Sequence, residues 1–71
     1  MDKRRIRSIR IRSGLTQQQF SAEYKIPLST IRNWEQGTRQ PDQSAILYLL
    51  CIEALPKSVR VIVNSPQHTM F

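Results

Sequence analysis

Apolar positions in the first two-thirds of the chain recur three and four residues apart, the spacing of helices with one buried face. Ile6 and Ile9 mark the first stripe, on a helix predicted over about residues 3–12 and capped by Asp2. Ile11 falls off that stripe and is expected to be partly exposed. Gly14 stands where a helix C′ residue belongs, and Leu15 then drops into the core. Thr16 caps a second helix, and Thr16 to Gln19 has the Thr-x-x-Gln spacing of a capping box. Phe20 and Tyr24, four apart, are the inward stripe of that helix. A tight break at Lys25, Ile26 and Pro27 follows, with Pro27 pre-setting φ for the first turn of the next helix. Ile31 and Trp34 define the third helix, residues 28–36, which Gly37 closes. The phase shared with Ile31 sends Trp34 inward, to pack in the core rather than to stack on a base.

Thr38 to Pro41 form a loop, and either Asp42 or Ser44 caps a fourth helix over about residues 43–54. Ala45, Ile46, Leu47, Leu49, Leu50 and Ile52 make that helix apolar nearly all round. So broad a surface predicts a central core helix with area left over for a partner. Pro56 stops it. Residues 57–64 fit two patterns: Val59, Ile62 and Val63 suit one side of a short fifth helix, whereas Val59, Val61 and Val63 alternate as a strand would. Helix is the preferred reading. The expected organisation is one domain over 1–64 with a C-terminal tail over 65–71. The fold class is all-α, a four- to five-helix bundle containing a helix-turn-helix.

The third helix carries the candidate chemistry. Opposite Ile31 and Trp34 lie Ser29, Arg32, Asn33 and Gln36, an i, i+3, i+4, i+7 set of hydrogen-bonding side chains. A helix anchored from behind by two apolar residues, with amide and guanidinium groups outward, is suited to base edges in a major groove. Asn33 can pair bidentately with adenine, and Arg32 with guanine or a phosphate; Leu28 can offer only apolar contact, best to a thymine methyl.

Charge sharpens this picture. Of the formal +6, Lys3, Arg4, Arg5, Arg7, Arg10 and Arg12 fall within the first twelve residues, opposed there only by Asp2. A solvated helix face would explain such a cluster, but beside a helix-turn-helix the attraction of a phosphate backbone explains it better. Seventy-one residues bury only about 60 % of their unfolded surface, which favours a few short helices round one core, aided by dimerisation. The single Cys51 lies in an apolar run and is expected to be a buried, inert thiol; no disulfide framework is available. His68 stands alone, and no His/Cys cluster has metal-ligand spacing, so neither metal nor cofactor is expected. The run ILYLLCI is far shorter than the roughly 20 residues that cross a bilayer. The basic N-terminus lacks the apolar stretch of a signal peptide. A soluble cytoplasmic protein with no membrane association is the expectation.

At GLTQQQFS, with the small Ser21 where two helices cross, and at STIRNWEQG and RQP, the chain resembles the helix-turn-helix family typified by the lambdoid phage repressors and Cro, the Xre family. The resemblance covers about residues 5–55. It implies five α-helices and a two-fold dimer on a roughly palindromic operator. It places Leu28, Ser29, Arg32 and Asn33 at groove-facing positions. Thr16, Gln17, Gln36 and Arg39 fall at positions that approach the DNA backbone. Arg10 and Glu35 match a partly buried ion pair that ties the first helix to the third. The closing WEQGTRQP and the short length look like the antitoxin branch, whose members bind a small toxin and repress their own operon. Two positions depart from the family pattern. Lys25 stands where Gly is usual and φ is often positive, and Pro27 stands where Ser or Thr supplies a cap.

The function expected is therefore that of a transcriptional regulator, a repressor, binding double-stranded DNA as a homodimer. The rival reading is an antitoxin that neutralises a toxin by protein–protein contact. The apolar surface of residues 45–55 and the VRVIV segment would serve either dimerisation or toxin capture. Enzymatic activity is not expected, since the sequence holds no nucleophile–base set, phosphate-binding glycine loop or metal-ligand cluster.

Overall fold

The computed structural model describes residues 1–65. The expected tail therefore lies, beyond Ser65, outside the described residues, and so does His68. Five helices follow one another: α1 (Lys3–Arg12), α2 (Gln17–Tyr24), α3 (Leu28–Gln36), α4 (Gln43–Ala54) and α5 (Pro56–Asn64). Among the described residues there is no strand. The VRVIV segment is helical, with Pro56 in the first turn. A helix satisfies its own backbone groups, whereas a lone strand here would have no edge to pair with. Val59 is buried and Val63 half-buried, but Ile62 is 69 % exposed. The inward face of α5 is therefore narrower than the three-residue side the pattern implied.

Each helix begins and ends where a local group permits it. The Asp2 carboxylate accepts from the Arg4 N–H at the start of α1. Thr16 and Gln19 complete a reciprocal capping box: Gln19 N–H donates to Thr16 Oγ1 at 3.1 Å, and Thr16 N–H donates to Gln19 Oε1 at 3.0 Å. Asp42, rather than Ser44, caps α4, accepting from Ala45 N–H at 2.9 Å. Pro27, in extended backbone just before α3, makes no side-chain cap; its carbonyl accepts from Thr30 and Ile31 N–H. Lys25 ends α2 with φ 59° and ψ 40°, the left-handed conformation that glycine would adopt at lower cost.

The core joins all five helices. Ile6 and Ile9 from α1, Phe20 and Tyr24 from α2, Ile31 and Trp34 from α3, Leu49 and Ile52 from α4, and Val59 from α5 are all buried, with Ile26 from the turn. The rings of Phe20 and Tyr24 lie 4.8 Å apart at a 49° tilt, a favourable edge-inclined pairing. Fully burying one such side chain contributes roughly 1.5–3 kcal/mol. Polar links hold the helix ends in place. Tyr48 Oη donates to the Tyr24 carbonyl at 2.6 Å, Tyr24 Oη donates to the Pro56 carbonyl at 3.3 Å, and Ser21 Oγ donates to the Ile26 carbonyl at 2.6 Å.

Two expectations for α4 need correction. The helix is not central: only Leu49 and Ile52 are buried on it, while Leu47 is 54 % exposed. Cys51 is exposed, not buried. Residue 51 is about 200° round the helix from Leu49 and 100° from Ile52, which directs it away from the side they share.

Candidate nucleic-acid interface

The turn between α2 and α3 spans only Lys25 to Pro27, which forces the two helices to cross and lays α3 along the surface. Ile31 and Trp34 are buried against α1 and α2. This leaves the opposite side of α3 free. Ser29, Arg32 and Gln36 are exposed there; Leu28 and Asn33 are half-buried. Arg39, just beyond the helix, is exposed as well. An open hollow of about 440 Å³ lies between α3 and the segment that follows it, with Ser29, Asn33, Arg39, Gln40 and the acidic Asp42 on its walls.

Asn33 is tied to the segment after the helix. Its carbonyl accepts from Thr38 N–H at 3.0 Å, while Gly37 N–H donates to the Trp34 carbonyl at 3.2 Å, and Gly37 has φ +81°. That pair of bonds is a Schellman motif with glycine at C′. The Thr38 hydroxyl adds to it, standing 3.0 Å from Asn33 Oδ1 and 3.2 Å from the Asn33 carbonyl. Thr38 had no place in the sequence reading. The signal that would have found it is the motif's own spacing, which always brings the residue five positions before C″ beside it.

Behind α3, Arg10 and Glu35 form a bidentate pair. Arg10 Nε donates to Oε2 at 2.7 Å and Nη2 to Oε1 at 2.9 Å. The side chains are 13 % and 6 % exposed. Arg10 Nη1 also donates to the Leu15 carbonyl at 3.0 Å, and Gln17 Nε2 donates to Glu35 Oε1 at 3.2 Å. Burial by itself pushes the Glu35 carboxyl up. The hydrogen bonds from Arg10 and Gln17, with the charges of Arg10 and Arg7, outweigh this and hold it below the ordinary carboxylate range. One N–H of the Gln17 amide is thus committed to Glu35 and one remains. Thr16 is exposed, and its oxygen is occupied by the capping bond.

The basic cluster of α1 divides into two sets. Arg5 pairs with Glu53 at 2.6 Å and Arg10 with Glu35; among the described residues these are the only salt bridges. Among the described residues Lys3, Arg4, Arg7 and Arg12 form no salt bridge, though Arg7 lies near enough to Glu35 and Arg12 near enough to Glu53 to help hold those carboxyls ionised. Lys3 lies over the C-terminal end of α3, its Cδ 3.1 Å from where a Cβ on Gly37 would stand. A cation therefore stands over the C-terminal end of the exposed stripe. Among the described residues no group of three or more His, Cys, Asp or Glu side chains is placed to hold a metal, and no helix is long and apolar enough to cross a membrane.

Comparison with known families agrees with this geometry. The family model described as Helix-turn-helix matches residues 6–51, from α1 through most of α4. The chain belongs to that family, the Xre and Cro type, and is a DNA-binding helix-turn-helix regulator. Searches of curated proteins and of solved structures each returned no significant match.

Proposed function

We propose that this chain is a sequence-specific repressor that occupies a roughly palindromic operator as a homodimer and occludes the promoter there. In this reading α3 enters the major groove, with Leu28, Ser29, Arg32 and Asn33 at base edges. Thr16, Gln17, Gln36 and Arg39 lie against the phosphate backbone. The observation that carries it is the outward polar stripe of α3, backed by buried Ile31 and Trp34 and with the Lys3 cation over its C-terminal end. Each good bidentate base contact contributes roughly 1–3 kcal/mol of discrimination. No cofactor is required.

The test is selection from a random duplex DNA pool at near-physiological salt. Enrichment of one palindrome, lost on Asn33→Ala but kept on Lys3→Ala, supports direct readout. Retention of every sequence alike, vanishing steeply with salt, leaves only phosphate attraction and rejects the proposal.

A second function, capture of a small toxin protein, is favoured by one observation. Leu47 and Cys51 are exposed one turn apart on α4. Copurification of a small protein that is released by Leu47→Glu, with DNA binding intact, would support it.

A further inference from the structure

We propose that Thr38 is a positioning residue for base readout: its hydroxyl fixes the side-chain amide of Asn33 before DNA arrives. The inference rests on the base-reading role given to Asn33 above and adds what determines the direction in which that amide points.

Of the outward residues of α3, Ser29, Arg32 and Gln36 are exposed. Asn33 differs, being half-buried and engaged at Oδ1 by the Thr38 hydroxyl at 3.0 Å. An asparagine side chain on a helix surface otherwise samples a broad, roughly two-fold χ2 distribution. Which end of the amide meets a base edge is then settled only on binding, at an entropic cost. Here the backbone removes that freedom in three steps. Gly37 takes φ +81°, which no β-carbon-bearing residue adopts readily. The resulting turn returns Thr38 N–H to the Asn33 carbonyl at 3.0 Å. This brings the Thr38 side chain beside the Asn33 side chain, and the hydroxyl's single proton is shared between Oδ1 at 3.0 Å, the nearer acceptor, and the Asn33 carbonyl at 3.2 Å. An amide oxygen has two lone pairs, so Oδ1 can still accept from an adenine amino group while Nδ2 donates to N7. The hydroxyl therefore orients the reader without blocking it.

Thr38 itself is exposed, and its hydroxyl is not needed to form the turn, because the backbone N–H bond and Gly37 do that. Thr38→Val removes the hydroxyl and keeps the shape; Thr38→Ser keeps the hydroxyl. The full chain is used in two measurements. In the free protein, the side-chain NH₂ resonances of Asn33 are followed by NMR. They are expected to shift and lose their distinct environment in Thr38→Val and to remain near the parent values in Thr38→Ser. In the duplex selection, Thr38→Val is expected to relax preference roughly three- to tenfold at the same base pair that Asn33→Ala relaxes, which is the scale of ordering one side chain at an interface. Preference at other positions and the slope of affinity against salt should not change, since no phosphate contact is lost. Thr38→Ser should behave as the parent.

Unchanged preference in Thr38→Val overturns the inference, and so does an equal loss in Thr38→Ser, which would make the effect one of packing. A parent chain without any sequence preference is a different failure: base readout itself is then rejected, whatever the amide resonances show. Thermal unfolding of both variants should coincide with the parent, so that a loss of fold is not mistaken for a loss of orientation.

Discussion

The charge on Glu35 has consequences for stability whose direction follows from its hydrogen bonds and burial. Its carboxyl accepts three hydrogen bonds, from Arg10 twice and from Gln17 once, and its folded pKa lies below the ordinary value. A depressed folded pKa contributes stability that is complete above the unfolded glutamate range and is lost as pH falls through the folded value. Unfolding monitored by circular dichroism should therefore show stability declining below about pH 4.5, with Glu35→Gln flattening that decline. It should not abolish it, because the hydrogen bond from Arg5 also lowers the Glu53 carboxyl. Near neutral pH the same substitution leaves Arg10 partly buried without its counter-charge and should cost about 3 kcal/mol. Lys25 offers the opposite test. A non-glycine residue in the left-handed region costs roughly 1–2 kcal/mol, and glycine returns part of that through its greater freedom when unfolded. Lys25→Gly should therefore raise stability by about 0.5–1 kcal/mol in a denaturant titration; a loss would mean the lysine makes a contact that outweighs its strain. At this scale the resemblance marked position 25 as a place of positive φ but left open whether Lys25 would accept it or the turn would differ, and it accepts it. The sequence was not legible for Cys51 or for Thr38, since exposure and side-chain neighbours depend on how helices pack.

Helix boundaries were legible because capping is local. Thr16 with Gln19 is a bond that four residues of sequence specify, whereas the cap of α4 was open between Asp42 and Ser44 until the bond from Ala45 N–H decided for Asp42. The capping box in particular should be separable from any role of Thr16 beside DNA. Thr16→Ala removes the acceptor for Gln19 N–H and should cost about 1 kcal/mol in thermal or chemical unfolding. Thr16→Ser should keep most of that stability, and equal loss in both would place the effect outside the cap. The two ends of the helix-turn-helix share one device: α2 closes at Lys25 and α3 at Gly37, and each time an N–H returns to a carbonyl five residues back, Ile26 to Ser21 and Thr38 to Asn33. A hydroxyl reinforces both, Ser21 Oγ on the Ile26 carbonyl and Thr38 Oγ1 on Asn33. The orientation of α3 is thus set by turn chemistry at both ends as well as by Ile31 and Trp34 beneath it. Pattern failed where it counted apolar residues without knowing which sides would be covered. Residues 43–54 looked central because nearly every position was apolar, yet α4 packs mainly on α1 and α5, reaches α2 through Tyr48, and leaves Leu47 and Cys51 outside. Residues 57–64 were compatible with either period, and what decided for helix was the lack of any strand to pair with.

A chain of this size holds roughly 4–10 kcal/mol of stability in total, and its surface is correspondingly hard to keep polar. Leu55, Val61 and Ile62 are 60 %, 67 % and 69 % exposed, the largest values among the big apolar side chains of the described residues, and all three sit at or within α5. Solvent-facing β-branched residues at 61 and 62 do nothing for the monomer's core, where Val59 and Val63 already serve. They are accounted for if a second copy covers them, as the proposed two-fold repressor requires. Replacing both with glutamate should then separate folding from binding. Because neither side chain is buried, unfolding at low protein concentration should change by less than about 0.5 kcal/mol. Self-association, followed by sedimentation, should weaken. Operator affinity should fall by about a hundredfold or more, because two half-sites bound by linked domains gain from effective concentration and separate monomers do not. Affinity for a single half-site should be unchanged, since α3 lies on another part of the molecule and its polar stripe is untouched. If instead the double variant remains as dimeric as the parent, and Leu47→Glu on α4 is the change that dissociates it, the two-fold axis runs beside α4. The stripe assigned to a toxin partner is then the dimer interface, and α5 becomes the surface left open.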